Sequence, residues 1–280
     1  MKKIQLIFLI SILFLLNTIN IFAEDDEMPP PVFKGQSMNG ATGLFSLPSG
    51  RIGWDDSNFG LDFGYRAIIN ANSGVAHIPA MTLSFLRFVE ISAIFDIQPE
   101  IGEQVNDDLM IGLKVRMPTK KTFLAIGANV QLINIGSDTH SYYAYQPYIS
   151  FTFGGNIFNT RAETTLFFGK TLYSGGPKNN SNIDFGMGFD VALFPKVFRY
   201  VLHWIIDFSN FSYSDNSWPN NTYFHTPAAM RGILNTGLRL DFSAIKALHK
   251  IKLVIDLSFN DLFDEGSRSF VVGAVLGFKI

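Results

Sequence analysis

The stretch Ile183-Asp-Phe-Gly-Met-Gly-Phe-Asp-Val-Ala-Leu193 decides the fold, because apolar residues alternate with polar or small ones along its whole length. A period of two places Phe185 and its apolar neighbours on one face of a β-strand and Asp184 and Asp190 on the other. Its length exceeds the five or six residues usual for strands of soluble proteins, and suits a strand that crosses a membrane at a tilt. The stretch therefore predicts a long strand with one apolar and one polar face.

The same pattern recurs along the chain after residue 57. Twelve segments show it, at residues 58–67, 79–86, 89–98, 108–117, 122–132, 142–153, 160–172, 183–193, 200–210, 231–242, 250–260 and 269–280. An even number of strands places both chain ends on one side, as in bacterial outer-membrane barrels. The sequence thus predicts an all-β fold, an antiparallel transmembrane outer-membrane β-barrel of about 12 strands within a range of 10 to 14.

The connections between these segments alternate in length. Short turns are expected at residues 87–88, 118–121, 154–159, 194–199 and 243–249, and longer loops rich in Asn, Ser, Gly and Asp at 68–78, 99–107, 133–141, 173–182, 211–230 and 261–268. Outer-membrane barrels have short periplasmic turns and long external loops, whereas a soluble β-sandwich has no reason to alternate them. The alternation therefore favours a barrel with its apolar face toward lipid and its polar face toward a lumen.

Two segments precede the first strand. Residues 1–23 have the basic start, apolar run and small-residue end of a cleaved signal peptide, with Ala23 as the last residue removed. Residues 24–56 are rich in Pro and Gly and are interpreted as a periplasmic or plug-like lead. The chain contains no cysteine, which excludes disulfides and a lipidated N-terminal cysteine. The formal net charge of −2 gives no reason to expect a nucleic-acid partner.

The phase of each strand selects the side chains that should line the lumen. These are Asp62, Arg66, Glu90, Asp96, Lys114, Arg116, Arg161, Glu163, Asp184, Asp190, His203, Asp207, Arg239, Asp241, Lys252 and Asp256, with Asn129, Gln131, Asn235 and Lys279 beside them. Charges of both signs at this density can form a cross-barrel network in a narrow lumen. Such a set serves either a small charged conduit or the structural packing of a filled barrel.

No pattern in the sequence predicts a catalytic or cofactor site. His203 and Asp207 share a strand face with Ser209, but Ser209 lies six residues from His203, roughly 20 Å along a strand. A Ser-His-acid site needs hydrogen-bond contact between nucleophile and imidazole. The histidines lack the spacing of metal ligands; they are His77, His140, His203, His225 and His249. The sequence therefore predicts a protein that is not an enzyme and binds neither metal nor cofactor.

The lead carries a family resemblance. Met38-Asn-Gly-Ala-Thr-Gly-Leu-Phe-Ser-Leu-Pro-Ser-Gly-Arg51, followed by Gly60-Leu-Asp-Phe-Gly-Tyr65, resembles the entry segment of YjbH-type outer-membrane proteins, which are associated with exopolysaccharide production. The resemblance spans residues 38–65, and the chain is short for that family. It implies an outer-membrane barrel and a link to polysaccharide; no functional residue is transferred from it.

Two strands have features of their own. The segment 269–280 resembles the C-terminal strand that the outer-membrane assembly machinery recognises, although it ends in Ile280 with Phe278 two places earlier. Pro147 lies inside the segment 142–153, where proline removes a ladder donor, and predicts a β-bulge. The partners expected from the sequence are outer-membrane lipid and this machinery.

Three functions are compatible with these features. The first is a narrow conduit, or an accessory to one, for small polar solutes or polysaccharide. The second is a non-conducting surface anchor whose external loops bind a partner. The third and weakest is a barrel hydrolase. The expected location is the outer membrane of a bacterial cell.

Overall fold

The computed structural model describes residues 34–70, 74–98, 107–119, 122–135, 141–157, 160–175, 182–213, 232–245, 250–263 and 268–279. The signal peptide predicted at residues 1–23 lies outside these ranges, as does the beginning of the lead. Among the described residues, no helix combines the length and the hydropathy of a membrane-spanning helix.

Antiparallel β-strands make up most of the described chain. They are β1 (Phe59–Asn70), β2 (Gly74–Phe85), β3 (Val89–Asp96), β4 (Asp107–Met117), β5 (Thr122–Ile135), β6 (Tyr142–Ile157), β7 (Thr160–Gly169), β8 (Leu172–Ser174), β9 (Asp184–Ala192), β10 (Leu202–Ser209), β11 (Ile233–Asp241), β12 (Ile251–Asn260) and β13 (Ser269–Lys279). A four-residue helix α1 (Pro195–Phe198) follows β9, and a 3₁₀ turn (Phe242–Ala244) follows β11.

The sheet closes on itself. Each strand pairs with its neighbours, β1 pairs with β13, and the β5–β6 pairing completes the ring. The short β8 pairs with β6 in the register of β7, since Tyr145↔Leu172 continues Tyr148↔Gly169. Because β7 and β8 therefore occupy one position in the wall, the structure is a closed barrel of 12 strands, which confirms the predicted fold class.

The two faces of the wall differ as the period of two requires. Along β13, Val271 and Val275 point inward and are buried, while Leu276 and Phe278 point outward and are more than two-fifths exposed. Large apolar side chains such as Phe63 of β1 and Ile111 of β4 are exposed on the same outer surface. A closed barrel with an apolar exterior is the form in which strands cross a bilayer with every backbone group paired.

Both chain ends of the barrel lie at the same rim, where Gly60 is the partner of Lys279. We call this the periplasmic end, because bacterial barrels keep their termini and short turns there, and the opposite rim the outer end. The connection β2–β3 illustrates such a turn: it spans residues 86–88, and Leu86 and Arg87 adopt positive φ.

Two local predictions are wrong. Residues 68–78 are not a long loop: β1 continues to Asn70 and β2 begins at Gly74. Pro147 causes no bulge, because the β5–β6 register passes through Ala128↔Pro147 without a shift. Proline has no backbone N–H, and Pro147 lies beside the break between β7 and β8. The backbone N–H of Lys170 in this break still donates to the Pro147 carbonyl over 3.1 Å.

Candidate functional site

The lumen is lined by charge. Of the sixteen side chains assigned to it from the sequence, fourteen are buried, namely nine carboxylates, four lysines or arginines, and His203. Arg116 and Arg161 are half-buried near the periplasmic ends of β4 and β7. Asp108, which was not assigned, is buried on the same inner face. Buried charges at this density need partners, and half of the fourteen find one in a single stretch of chain.

Residues 34–57, called the plug below, lie inside the barrel. The plug is folded back on itself through the bridges Gln36↔Thr42 and Gly43↔Pro48. Leu47 and Trp54 are fully shielded, with relative exposures of 0%. Lys34, where the described part begins, lies 4.6 Å from the centre of the Trp54 ring, and Ser57 leads into β1 at the periplasmic end. The plug therefore enters and leaves through the same mouth.

Glu90 of β3 binds the first turn of the plug. Its carboxylate accepts hydrogen bonds from the backbone N–H of Thr42 (2.8 Å), the Thr42 hydroxyl (2.6 Å) and the backbone N–H of Gly53 (2.9 Å). The Nζ of Lys114 on β4 lies 2.8 Å from the same carboxylate and donates to the Thr42 carbonyl over 2.9 Å. The ion pair between Glu90 and Lys114 thus binds both the backbone N–H and the backbone carbonyl of Thr42.

Asp207 of β10 binds the tip of the plug in the same manner. It accepts hydrogen bonds from the backbone N–H groups of Phe45 and Ser46, both at 2.8 Å, and from the Ser46 hydroxyl at 2.7 Å. Asn235 of β11 donates to Asp207 (2.8 Å) and to Ser46 (3.0 Å). No lysine, arginine or histidine among the described residues lies within ion-pair distance of Asp207, so backbone amides stabilise its charge.

The basic side chains of the wall bind plug carbonyl groups. Arg66 of β1 donates to the Ser37 carbonyl over 2.9 Å and contacts that of Gln36. Arg239 of β11 donates to the Gly43 carbonyl over 2.9 Å while its other nitrogens bind Asp256. The wall therefore recognises the plug through its peptide groups, with anions on the N–H groups and cations on the carbonyls.

Arg51 supplies the main ion pair that originates in the plug. Its Nε donates to both carboxylate oxygens of Glu163 on β7, at 2.8 and 2.9 Å, and its guanidinium lies 3.7 Å from the centre of the Phe123 ring. Gly50 beside it donates to the Thr152 hydroxyl over 2.9 Å. Through Gly50 and Arg51 the plug therefore contacts β5, β6 and β7.

An indole closes the periplasmic mouth. The Trp54 Nε1 donates to Asp62 over 2.7 Å, and Lys252 pairs with the same carboxylate. Lys34 and Lys252 lie 4.6 and 5.1 Å from the centre of the ring. Burial, together with the charge of Lys252, lowers the pKa of Lys34. The cations around Trp54 make a polar collar that surrounds the entry of the plug.

The outer half of the lumen holds an apolar layer. Leu44, Leu47 and Met38 of the plug pack in one cluster with wall side chains such as Met110 and Phe167. Phe211 and Tyr213, from the connection after β10, fold into the same layer, and the Tyr213 hydroxyl donates to Gln146 over 2.7 Å. The rest of the 211–230 loop lies outside the described residues. The plug tip and this connection together cover the outer half of the lumen.

The barrel combines a polar, charged lumen with an apolar exterior. The structure is a bacterial outer-membrane β-barrel. No protein-family model matches the chain, and no curated protein matches it.

Several solved structures are similar to it. The KdgM porin in complex with disordered oligogalacturonate is 8% identical, over 79% of this chain and 99% of that one, with a TM-score of 0.46. The NanC porin is 10% identical over 79% and 100%, with a TM-score of 0.49. LpxR from Salmonella typhimurium is 10% identical over 79% and 100%, with a TM-score of 0.46. The fold assignment rests on the strand pairing of this barrel itself.

The residues considered for hydrolysis are not assembled into a triad. His203 contacts Asp190 through Nδ1 (2.7 Å) and the Tyr200 carbonyl through Nε2 (2.8 Å). Asp207 is occupied by the plug, and the Ser209 hydroxyl donates to the Phe211 carbonyl over 2.7 Å. Among the described residues, no group of three or more acidic, histidine or cysteine side chains has the arrangement of a metal site. The prediction that the protein is not an enzyme stays a prediction.

Proposed function

We propose that the protein is a gated conduit for small polar solutes, closed in the described state by its own plug. One observation carries the proposal: the charges of the lumen wall bind the plug through hydrogen bonds and ion pairs. Water and polar solutes can replace such partners when the plug leaves, whereas a lumen filled with apolar side chains offers no such exchange. Where the wall behind the plug is charged, it is thus already suited to a hydrated passage, and the apolar layer of the outer half is the part that must also open.

The geometry of the plug supports withdrawal. Both of its ends lie at the periplasmic mouth, so it can leave without any strand of the barrel separating. Polysaccharide, which the YjbH-type resemblance implies, is one solute class within this proposal. The competing function is a non-conducting anchor for external loops, in which the plug only fills space. Electrical conductance separates the two.

Gly50→Val is expected to open the conduit without changing any charge. A Cβ at Gly50 would lie 2.1 Å from the backbone oxygen of Phe123, so the plug has to move off the wall. We expect discrete current steps in planar bilayers from Gly50→Val, alone or combined with Tyr213→Ala to clear the outer layer, and almost none from the unaltered protein. Gly154→Val is the matched control, because a Cβ there meets nothing within 4 Å.

Protein used in these recordings must migrate as a folded barrel on an unboiled gel. Silence from folded Gly50→Val protein, both with and without Tyr213→Ala, would overturn the conduit in favour of the anchor. Equal currents from Gly50→Val and Gly154→Val would show that the current does not depend on plug position.

A crosslink should have the opposite effect. The chain has no cysteine, and the Ser46 hydroxyl lies 3.0 Å from the Asn235 amide nitrogen, so Ser46→Cys with Asn235→Cys places two thiols within reach of a short, reducible bifunctional thiol reagent. In the Gly50→Val background we expect the crosslinked protein to be silent and a reductant to restore the current. Current through protein shown by mass spectrometry to be fully crosslinked would contradict the gate.

A further inference from the structure

The lumen wall carries more negative than positive charge. The inner face buries ten carboxylates, counting Asp108, against four lysines or arginines and His203. Adding the half-buried Arg116, Arg161 and Lys279 leaves the carboxylates in the majority. The plug has two basic and two acidic side chains, so its departure leaves this excess unchanged.

Half of these carboxylates form no ion pair with a described basic side chain. Within 4 Å, no described lysine, arginine or histidine nitrogen pairs with Asp96, Asp108, Asp184, Asp207 or Asp241. Their hydrogen-bond donors are neutral: Asp184, for example, accepts from Gln146 (2.8 Å) and Thr171 (2.5 Å). Asp108 accepts from Gln131 (2.8 Å) and the backbone N–H of Asn134 (3.0 Å). The four buried lysines and arginines of the inner face, by contrast, interact with wall carboxylates or plug carbonyls.

The unpaired carboxylates follow the length of the passage. Asp96, Asp108 and Asp184 lie at the outer end, at the end of β3 and the starts of β4 and β9. Asp207 lies farther down, and loses its plug amides when the plug leaves. Asp241 lies at the periplasmic end of β11. An entering ion therefore meets carboxylates without an ion pair at the outer end, farther down the wall and at the periplasmic end, and carboxylate rings are what cation channels use.

From this distribution we infer that the opened lumen is cation-selective, so that its solutes are small and cationic or neutral, and acidic oligosaccharides are disfavoured. The inference deepens the proposed function and rests on it. A cleft lined by one sign of charge between low-dielectric walls raises the local concentration of the opposite ion by about tenfold or more. The carboxylates of Asp96, Asp108 and Asp184 at the outer end then act as the entrance filter.

The test is the reversal potential of Gly50→Val channels in a KCl gradient. We expect K⁺ to permeate about tenfold more readily than Cl⁻ at low ionic strength, with the preference reduced by added salt. In vesicles, lysine should enter faster than glutamate, which is of similar size and opposite charge. A clear current with equal or greater Cl⁻ permeability would overturn the selectivity and leave the conduit standing, whereas the absence of current would count against the conduit.

Charge variants locate the filter. Asp184→Asn with Asp108→Asn should reduce the K⁺ preference roughly twofold while current persists, because both side chains lie at the outer end and neither contacts the plug. Thr171→Val is the matched control, since it removes a hydrogen bond to Asp184 and keeps the charge. A K⁺ preference that is unchanged in the double variant, or reduced as much by Thr171→Val, would show that the outer carboxylates do not set selectivity.

Discussion

Replacing Asp207 by Ala should raise the fraction of molecules with a displaced plug by about a hundredfold. The substitution leaves the buried N–H groups of Phe45 and Ser46 without an acceptor. Hydrogen bonds to a charged group contribute about 1.5–3 kcal/mol each, and the loss of about 3 kcal/mol corresponds to that hundredfold change. The readout is tryptic cleavage after Arg51, which is 7% exposed while the plug is seated, in protein embedded in vesicles. Cleavage reports the open fraction when opening and closing are fast.

Asp184→Ala is the matched control for this measurement. Asp184 is also a buried lumen carboxylate, but Gln146 and Thr171, which donate to it, belong to the wall and its connections. We expect its cleavage rate to stay close to that of the unaltered protein. If Asp207→Ala is cleaved no faster than Asp184→Ala, Asp207 does not hold the plug.

Lys114→Met should be the most destabilising single substitution in the wall. It leaves Glu90 buried, with 1% exposure, and without its cation. Breaking one partner of a buried ion pair costs about 3–5 kcal/mol, whereas replacing both partners together is often nearly neutral. We therefore expect the urea midpoint for loss of the folded gel band to fall in Lys114→Met and to recover largely in Lys114→Met with Glu90→Gln.

Lys279→Met provides the comparison for an exposed pair. Lys279 contacts Asp56, whose side chain is 51% exposed, and pairs of this kind contribute only about 0–1 kcal/mol. A midpoint for Lys114→Met no lower than that for Lys279→Met would mean that water reaches Glu90 and screens its charge. The same result would weaken the interpretation of Glu90 as a sealed anchor for Thr42.

The strands and their inner faces could be predicted because both depend on the local alternation of apolar and polar residues in the sequence. The segment predicted at 183–193 is β9 at Asp184–Ala192, and its phase alone places Asp190 toward the lumen. A shift of one residue would move every charge of a strand into lipid, so the pattern is under strong physical constraint. The errors occurred where local signals compete. Ile68 and Ile69 break the alternation beside an Asn- and Ser-containing stretch, which predicted a loop where β1 continues.

The contacts of the plug could not be predicted in this way. Glu90 is separated from Thr42 by 48 residues, and Asp207 from Ser46 by 161. Which wall residue faces which plug residue depends on the stagger of the closed barrel, and no local pattern encodes it. The Gly and Pro content of residues 24–56 suggested turns; it did not identify Thr42, Ser46 or Arg51 as the groups that satisfy the lumen charges.

The shared mouth of the plug has a mechanical consequence. A tether pulled from the periplasm at Lys34 loads the contacts one after another, beginning with the collar around Trp54 and ending at the tip near Ser46. When contacts are loaded one after another, the force needed to withdraw the plug is set by the single strongest contact. A segment pulled from opposite ends would instead load all of its contacts at once, in shear. The barrel wall is closed by continuous strand pairing and offers no edge at which strands begin to separate. Traction on Lys34 from the periplasmic side would therefore withdraw the plug contact by contact.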